Sequence, residues 1–217
     1  MTELSVSAVL CDMDGTLVDS NALVDVMWNE FSSAHGLDPL EVLAFAHGRP
    51  SRSTVERYLE DPEEIRHWRD HIHAMETSRF EGVLEIPGAA AFIRALPPDR
   101  WALVTSALAG PARGRLAAVG IAEPQVLIGA DDVDRGKPDP EGYASAAARL
   151  AVDPRECVVF EDTDAGIQAG QAAGCAVVVV GGNRSPATEG LPRVDDMTQV
   201  GVRLEGSRIV LTIPETH

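Results

Sequence analysis

Basic residues are scarce in this chain of 217 residues: 18 Lys and Arg stand against 34 Asp and Glu, for a net charge of −16. That balance excludes nucleic acid as a partner, because binding a polyphosphate needs basic patches. It also repels phosphorylated small molecules at long range, so a site for one needs cations placed locally. Lysine is all but missing, with 17 arginines against the single Lys137 in Arg135-Gly136-Lys137-Pro138-Asp139-Pro140. Cysteine is sparse as well. Cys11, Cys157 and Cys175 are odd in number, lack zinc-ligand spacing and fall in or beside apolar segments, which predicts buried free thiols. No apolar run reaches membrane-spanning length, and Met1-Thr2-Glu3 does not begin a basic-then-apolar leader. Repeats and low-complexity tracts are absent. A composition of 45% apolar and 24% charged residues reads as globular, and the expectation is a cytoplasmic protein with no membrane partner, a monomer or weak dimer.

What is present is concentrated in Val9-Leu10-Cys11-Asp12-Met13-Asp14-Gly15-Thr16-Leu17-Val18-Asp19-Ser20, an apolar run that stops at two carboxylates one residue apart. A strand ending in this way delivers both acids to the carboxyl edge of a sheet, where open α/β proteins bind ligands. Two such carboxylates repel, and a bound cation is the natural way to keep both ionised. The plain structural alternative is an Asp-Gly turn. Lys137 has a similar alternative, a solvated lysine beside a Pro-rich turn. Against that, a compact ammonium on a flexible stem can serve a phosphate oxygen and a carboxylate together, which a planar guanidinium does poorly.

Residues 20–36 are predicted helical, with Leu23, Val26, Met27, Phe31 and Ala34 on one face and Gly36 as the stop. A short helix over Leu40–Ala46 follows, then one opened by a Ser53-Thr54-Val55-Glu56 capping box and reaching about Leu59. Pro62 starts another that turns Ile65, Trp68, Ile72 and Met75 inward. From Pro87 onward helices alternate with short apolar runs. Strands are expected at Trp101–Thr105, Val126–Ile128, Cys157–Phe160 and Val177–Val180, with helices beginning near Pro87, Pro111, Pro140 and Asp164. That pattern predicts an α/β fold with a doubly wound parallel sheet. Residues 1–18 plus 87–217 would form the α/β core and residues 19–86 a helical insert, with hinges near Leu17–Asp19 and Glu85–Gly88. The tail from Val202 to Leu211 suggests a hairpin about Gly206.

Two further strand ends carry polar groups: Ala102-Leu103-Val104-Thr105-Ser106, and Val158-Val159-Phe160-Glu161-Asp162-Thr163-Asp164-Ala165-Gly166-Ile167. With the Asp12-x-Asp14 and Gly-Lys137-Pro segments they make four motifs that resemble those of the haloacid dehalogenase superfamily, most of whose members are magnesium-dependent phosphatases. The resemblance runs to about Gly182. It implies a Rossmann-like core and, for residues 19–86, a mobile cap that closes over the site. It implies Asp12 as the nucleophile that forms an aspartyl-phosphate, and Asp14 as the acid and then the base. Thr105 and Lys137 complete the catalytic set. The Ser106 and Ala107 amides and Thr16 would contact the substrate phosphate. The cofactor is Mg²⁺, held by Asp12, the Asp14 carbonyl and Asp162, with Glu161 a supporting acceptor behind them. Capping by Asp162 or Asp164 is the structural alternative, and capping alone is expected of Asp164.

Within the family, Asp14 speaks against a dehalogenase, and the absence of lysine from residues 19–86 speaks against a phosphonate hydrolase. β-Phosphoglucomutases share core and cap but carry a histidine where this chain has Val24, and tend to lack the Thr seen at position 16. The segment Glu41-Val42-Leu43-Ala44-Phe45-Ala46-His47-Gly48-Arg49-Pro50 looks like the caps of sugar and glycerol phosphate phosphatases. It suggests His47, Gly48 and Arg49 as substrate contacts, with Arg52 a lesser candidate. His67, His71 and His73 lack a convergent acid motif and are expected on an exposed helix face. A catalytically retired binding protein on the same fold would have lost some of Asp12, Asp14, Lys137 or Asp162. The expected activity is hydrolysis of small sugar or polyol phosphates.

Overall fold

A computed structural model of the chain describes residues 1–46 and 49–215. In chain order the elements are β1 (Thr2–Val6), β2 (Ala8–Cys11), β3 (Val18–Asp19), α1 (Asn21–His35), α2 (Pro39–Ala46), α3 (Ser51–Tyr58), α4 (Pro62–Ser78) and β4 (Leu84–Glu85). They continue with α5 (Ala89–Ala95), β5 (Trp101–Val104), α6 (Ala109–Ala118), β6 (Val126–Ile128), α7 (Glu141–Arg149), β7 (Cys157–Glu161) and α8 (Asp164–Ala172). Last come β8 (Ala176–Val180), β9 (Arg193–Val194), β10 (Gly201–Glu205) and β11 (Arg208–Ile213).

Six strands form one parallel sheet in the order β6-β5-β2-β7-β8-β9. Its central strands alternate between two apolar clusters. Ala8, Leu10, Val104 and Val159 pack with α7 and α8 on one face, while Val9, Cys11, Leu103 and Phe160 pack with α5 and α6 on the other. Burial on both faces explains why these strands read as unbroken apolar runs. The sheet is therefore doubly wound, as expected, and Cys11, Cys157 and Cys175 are buried free thiols.

The tail hairpin turns at Gly206, whose φ of +57° suits glycine. Its strand β11 also pairs with β1, making a separate antiparallel sheet β1-β11-β10 that the sequence did not announce. The four helices α1–α4 leave and return through a two-stranded ribbon, Val18 opposite Glu85 and Asp19 opposite Leu84.

Three local expectations need correction. In α1 the buried side chains are Leu23, Met27, Trp28, Phe31 and Ser32, while Val26 and Ala34 face solvent. The buried stripe thus follows the i, i+4 rows 23-27-31 and 28-32, with Trp28 stacked edge-on against Phe31. Gly36 does end the helix, in the left-handed conformation. The capping box does not form: Pro50 precedes α3, which begins two residues before Ser53 and has no side-chain cap. The fixed φ of proline leads the chain straight into the helix, and Ser51 donates to Glu76 instead. Asp164 is not the cap of α8 either. Thr163 accepts from Gly166 N at 3.1 Å, and Asp164 accepts from Asn183 and Ser185 in the loop after β8.

Candidate active site

Sheet order makes the site. Strands β5, β2 and β7 are neighbours, with Cys11 opposite both Leu103 and Phe160, so Thr105, Asp12 and Glu161-Asp162 emerge side by side at one sheet edge. The Asp12 amide donates to Phe160 O at 3.0 Å, and the Thr105 amide to Ile128 O at 2.9 Å. Lys137 reaches the same edge from the β6–α7 loop, where its bond to Pro138 is cis. Its ammonium donates to Asp12 Oδ1, to Glu161 Oε1 at 2.6 Å and to Val104 O at 3.1 Å.

Glu161 is fully buried and saturated. Oε1 accepts from Lys137 and from Tyr143 OH at 3.1 Å; Oε2 accepts from the Asp162 amide, the Thr163 amide and Thr163 Oγ1 at 2.9–3.0 Å. A carboxylate with five donors is an anchor, with no lone pair to spare for a ligand. Burial alone would pull Lys137 down, but Asp12 and Glu161 more than offset it and hold the ammonium above its ordinary range. Burial pushes the Asp12 carboxyl up to about 8, with Lys137 opposing and Glu161 and Asp14 adding to the rise. Asp162 is raised too, by burial first and then by Glu161 and Asp12, with Lys137 opposing.

Three carboxyls, two buried and that of Asp162 half-buried, face one ammonium, so ionising all three leaves negative charge uncompensated. Oxygens of Asp12, Glu161 and Asp162 lie within 4.8 Å of one another, a grouping able to hold a metal ion. Because Glu161 is filled, Asp12 and Asp162 are the donors left facing outward, and hard carboxylate oxygens suit a hard divalent cation. Two glycines make room for this arrangement. A Cβ on Gly15, which also has φ +88°, would lie 2.1 Å from Asp162 Oδ2, and one on Gly166 would lie 1.5 Å from Glu161 Oε1. Thr16 is buried and its hydroxyl faces Asp162 Oδ1 at 3.4 Å, behind the acids.

Asp14 is held by two groups that sequence reasoning missed. Ser20 Oγ donates to Oδ1 at 2.5 Å, and Arg115 on α6 donates to Oδ2 at 2.8 Å. The same guanidinium lies 3.5 Å from Glu76 on α4. Both missed charges interrupt apolar helix stripes, Trp68-Ile72-Glu76 at i, i+4 spacing and Ala112-Arg115-Leu116, and this was the legible signal. Lone charges inside an apolar stripe need a buried partner.

A cavity of about 300 Å³ opens over Asp12 and Asp14, walled by Val24, Trp28, Arg49, Glu76 and Arg115. It also touches Thr105, Ser106 and Ala107. In this arrangement the Ala107 amide donates to Thr105 Oγ1 at 3.1 Å. Arg49 is exposed and lies 4.6 Å above the Phe45 ring. His47 and Gly48 lie outside the described residues. Arg52 pairs with Glu56 and borders a wider cleft of about 700 Å³ on the Lys137 side. His67 and His73 are exposed as expected, and the partly exposed His71 pairs with Glu30 at 2.8 Å. No helix among the described residues is long and apolar enough to cross a membrane.

Residues 6–174 match the family described as haloacid dehalogenase-like hydrolase. Hexitol phosphatase A of Escherichia coli is 39% identical over 203 residues, covering 90% of both chains. Glycerol-1-phosphate phosphohydrolase 2 of Saccharomyces cerevisiae is 32% identical over 186 residues, 81% of this chain and 74% of that one. Among solved structures, the β-phosphoglucomutase of Clostridium difficile superposes with a TM-score of 0.79 at 22% identity, over 89% of this chain and 92% of its own.

Proposed function

Since this chain belongs to the haloacid dehalogenase-like hydrolases, we propose that it is a magnesium-dependent phosphatase of small sugar or polyol phosphate monoesters. The observation that carries this reading is the joint placement of Asp12, Lys137, Asp162 and Thr105 at one sheet edge, with Asp12, Asp162 and Thr105 opening onto one small cavity. The naming of relatives as hexitol and glycerol phosphate phosphatases supports the substrate class. Residues 19–86 act as a cap on the core formed by 1–18 and 87–217.

In this reading an Asp12 oxygen attacks phosphorus in line, and the phosphorus–oxygen bond to the alcohol breaks as Asp14 protonates the departing oxygen. Asp14 then takes a proton from water, whose oxygen attacks the aspartyl-phosphate, releasing inorganic phosphate and restoring Asp12. Asp12 and Asp162, with the Asp14 carbonyl, would hold Mg²⁺, which when bound offsets the charge of the carboxylates and the phosphoryl oxygens. Lys137 opposes the effect of burial on the Asp12 carboxyl and orients it, and adds positive charge for the phosphoryl group. Thr105 Oγ1 and the Ser106 and Ala107 amides provide donors for its oxygens. Arg49 and His47 serve the polyol end. Positioning and charge neutralisation are the main demands of phosphoryl transfer, and this chain meets them with few groups.

The test is phosphate release, with and without Mg²⁺, from glycerol, hexitol, hexose and pentose phosphates, phosphoglycolate and β-glucose 1-phosphate. Metal-dependent release from several polyol or sugar phosphates is the expected result. Isomerisation of β-glucose 1-phosphate without release would replace it with a mutase. Val24, an apolar side chain in the cavity wall, favours hydrolysis.

A further inference from the structure

Arg115 takes no part in the steps just described, yet it is 3% exposed, carries a charge and borders the cavity beside Asp14. One nitrogen donates to Asp14 Oδ2 at 2.8 Å; the other terminal nitrogen lies 3.5 Å from Glu76 Oε1; Nε has no hydrogen-bond partner among the described residues. Glu76 is itself buried, on α4 of the inserted helices, and accepts from Ser51 Oγ of α3 at 2.9 Å. Arg115 belongs to α6, between the sheet strands β5 and β6. A chain of contacts Ser51–Glu76–Arg115–Asp14 therefore runs from the inserted helices to the second aspartate. A planar guanidinium gripped at both terminal nitrogens is fixed in orientation, whereas one gripped at a single point can swing.

We propose that Arg115 is a positioning residue that sets the Asp14 carboxylate for proton transfer, and that Glu76 makes this setting depend on the seating of the inserted helices. The inference rests on the reading of Asp14 as the proton carrier. It explains why two costly buried charges are kept where apolar side chains would pack the helix faces at less cost. Arg115 is assigned no step of its own; it acts through Asp14, whose Oδ2 it holds.

Leaving-group dependence tests this. An alkoxide needs a proton to depart, while p-nitrophenolate does not, so a fault in acid catalysis lowers kcat/KM for glycerol phosphate far more than for p-nitrophenyl phosphate. The ratio of the two values does not depend on how much of a preparation is folded, which protects the test against partly unfolded variants. Asp14→Asn sets the scale, with an expected change of about 100-fold or more in the ratio. Arg115→Met and Arg115→Lys should each shift it at least about tenfold in the same direction, and Glu76→Gln about threefold, with the double variant Arg115→Met/Glu76→Gln no worse than Arg115→Met. If Asp14→Asn shifts the ratio and the Arg115 variants do not, or if the Arg115 and Glu76 effects multiply, the positioning role is overturned while the phosphatase reading stands. If Asp14→Asn leaves the ratio unchanged, the reading of Asp14 as proton carrier falls and the positioning role with it.

Discussion

Lys137 Nζ sits 2.6 Å from Glu161 Oε1, and both side chains are buried. The single lysine of the chain is thus spent on joining an inert anchor to the acid that faces the cavity. Breaking such a pair from one side leaves a buried charge alone, at a cost of about 3–5 kcal/mol. Lys137→Met should lose about that much in denaturant unfolding, along with activity. Lys137→Arg should not restore activity, because a fork cannot reach Asp12, Glu161 and the Val104 carbonyl from one nitrogen.

Gly166 gives a second test of the Glu161 anchor. An added methyl would overlap its carboxylate, so Gly166→Ala should destabilise by about 1–3 kcal/mol, as overpacking does. Gly182 has open space around it and is not in the left-handed region, so Gly182→Ala should change stability by no more than about 0.5 kcal/mol. Equal effects at the two positions in thermal unfolding would refute the anchor.

Glu76 supplies a pH dependence whose sign is fixed. Burial raises its carboxyl above the ordinary range, with Arg115 opposing. A raised folded-state pKa means that the stability tied to the protonated form is fully present below the unfolded value and is lost as pH rises through the folded one. Glu76→Gln removes that loss. The melting temperature of the variant relative to the unsubstituted protein should therefore be higher at pH 8 than at pH 5, even as its catalysis declines. A constant difference across that window would contradict the assignment.

Much of this molecule was legible in its sequence, for physical reasons that differ by element. The parallel strands read clearly because burial on both faces leaves uninterrupted apolar runs, and each acid stood where such a run stopped. The sheet β1-β11-β10 was only half visible, since Thr2–Val6 mixes polar and apolar residues and its pairing with β11 spans the length of the chain. Val26 was misplaced because several apolar residues on α1 competed for one face, and tertiary packing chose Trp28. Arg115 and Glu76 were overlooked because a charge in an apolar stripe declares a partner without saying which. Only the fold put α4, α6 and Asp14 together.

The most direct measurement is phosphate release from glycerol phosphate and a hexitol phosphate by metal-stripped protein, before and after adding Mg²⁺, with Asp12→Asn alongside. The account predicts no release without metal, turnover on its return, and a loss of at least about 1,000-fold in Asp12→Asn. Turnover by the stripped protein, or by Asp12→Asn at a comparable rate, would contradict it.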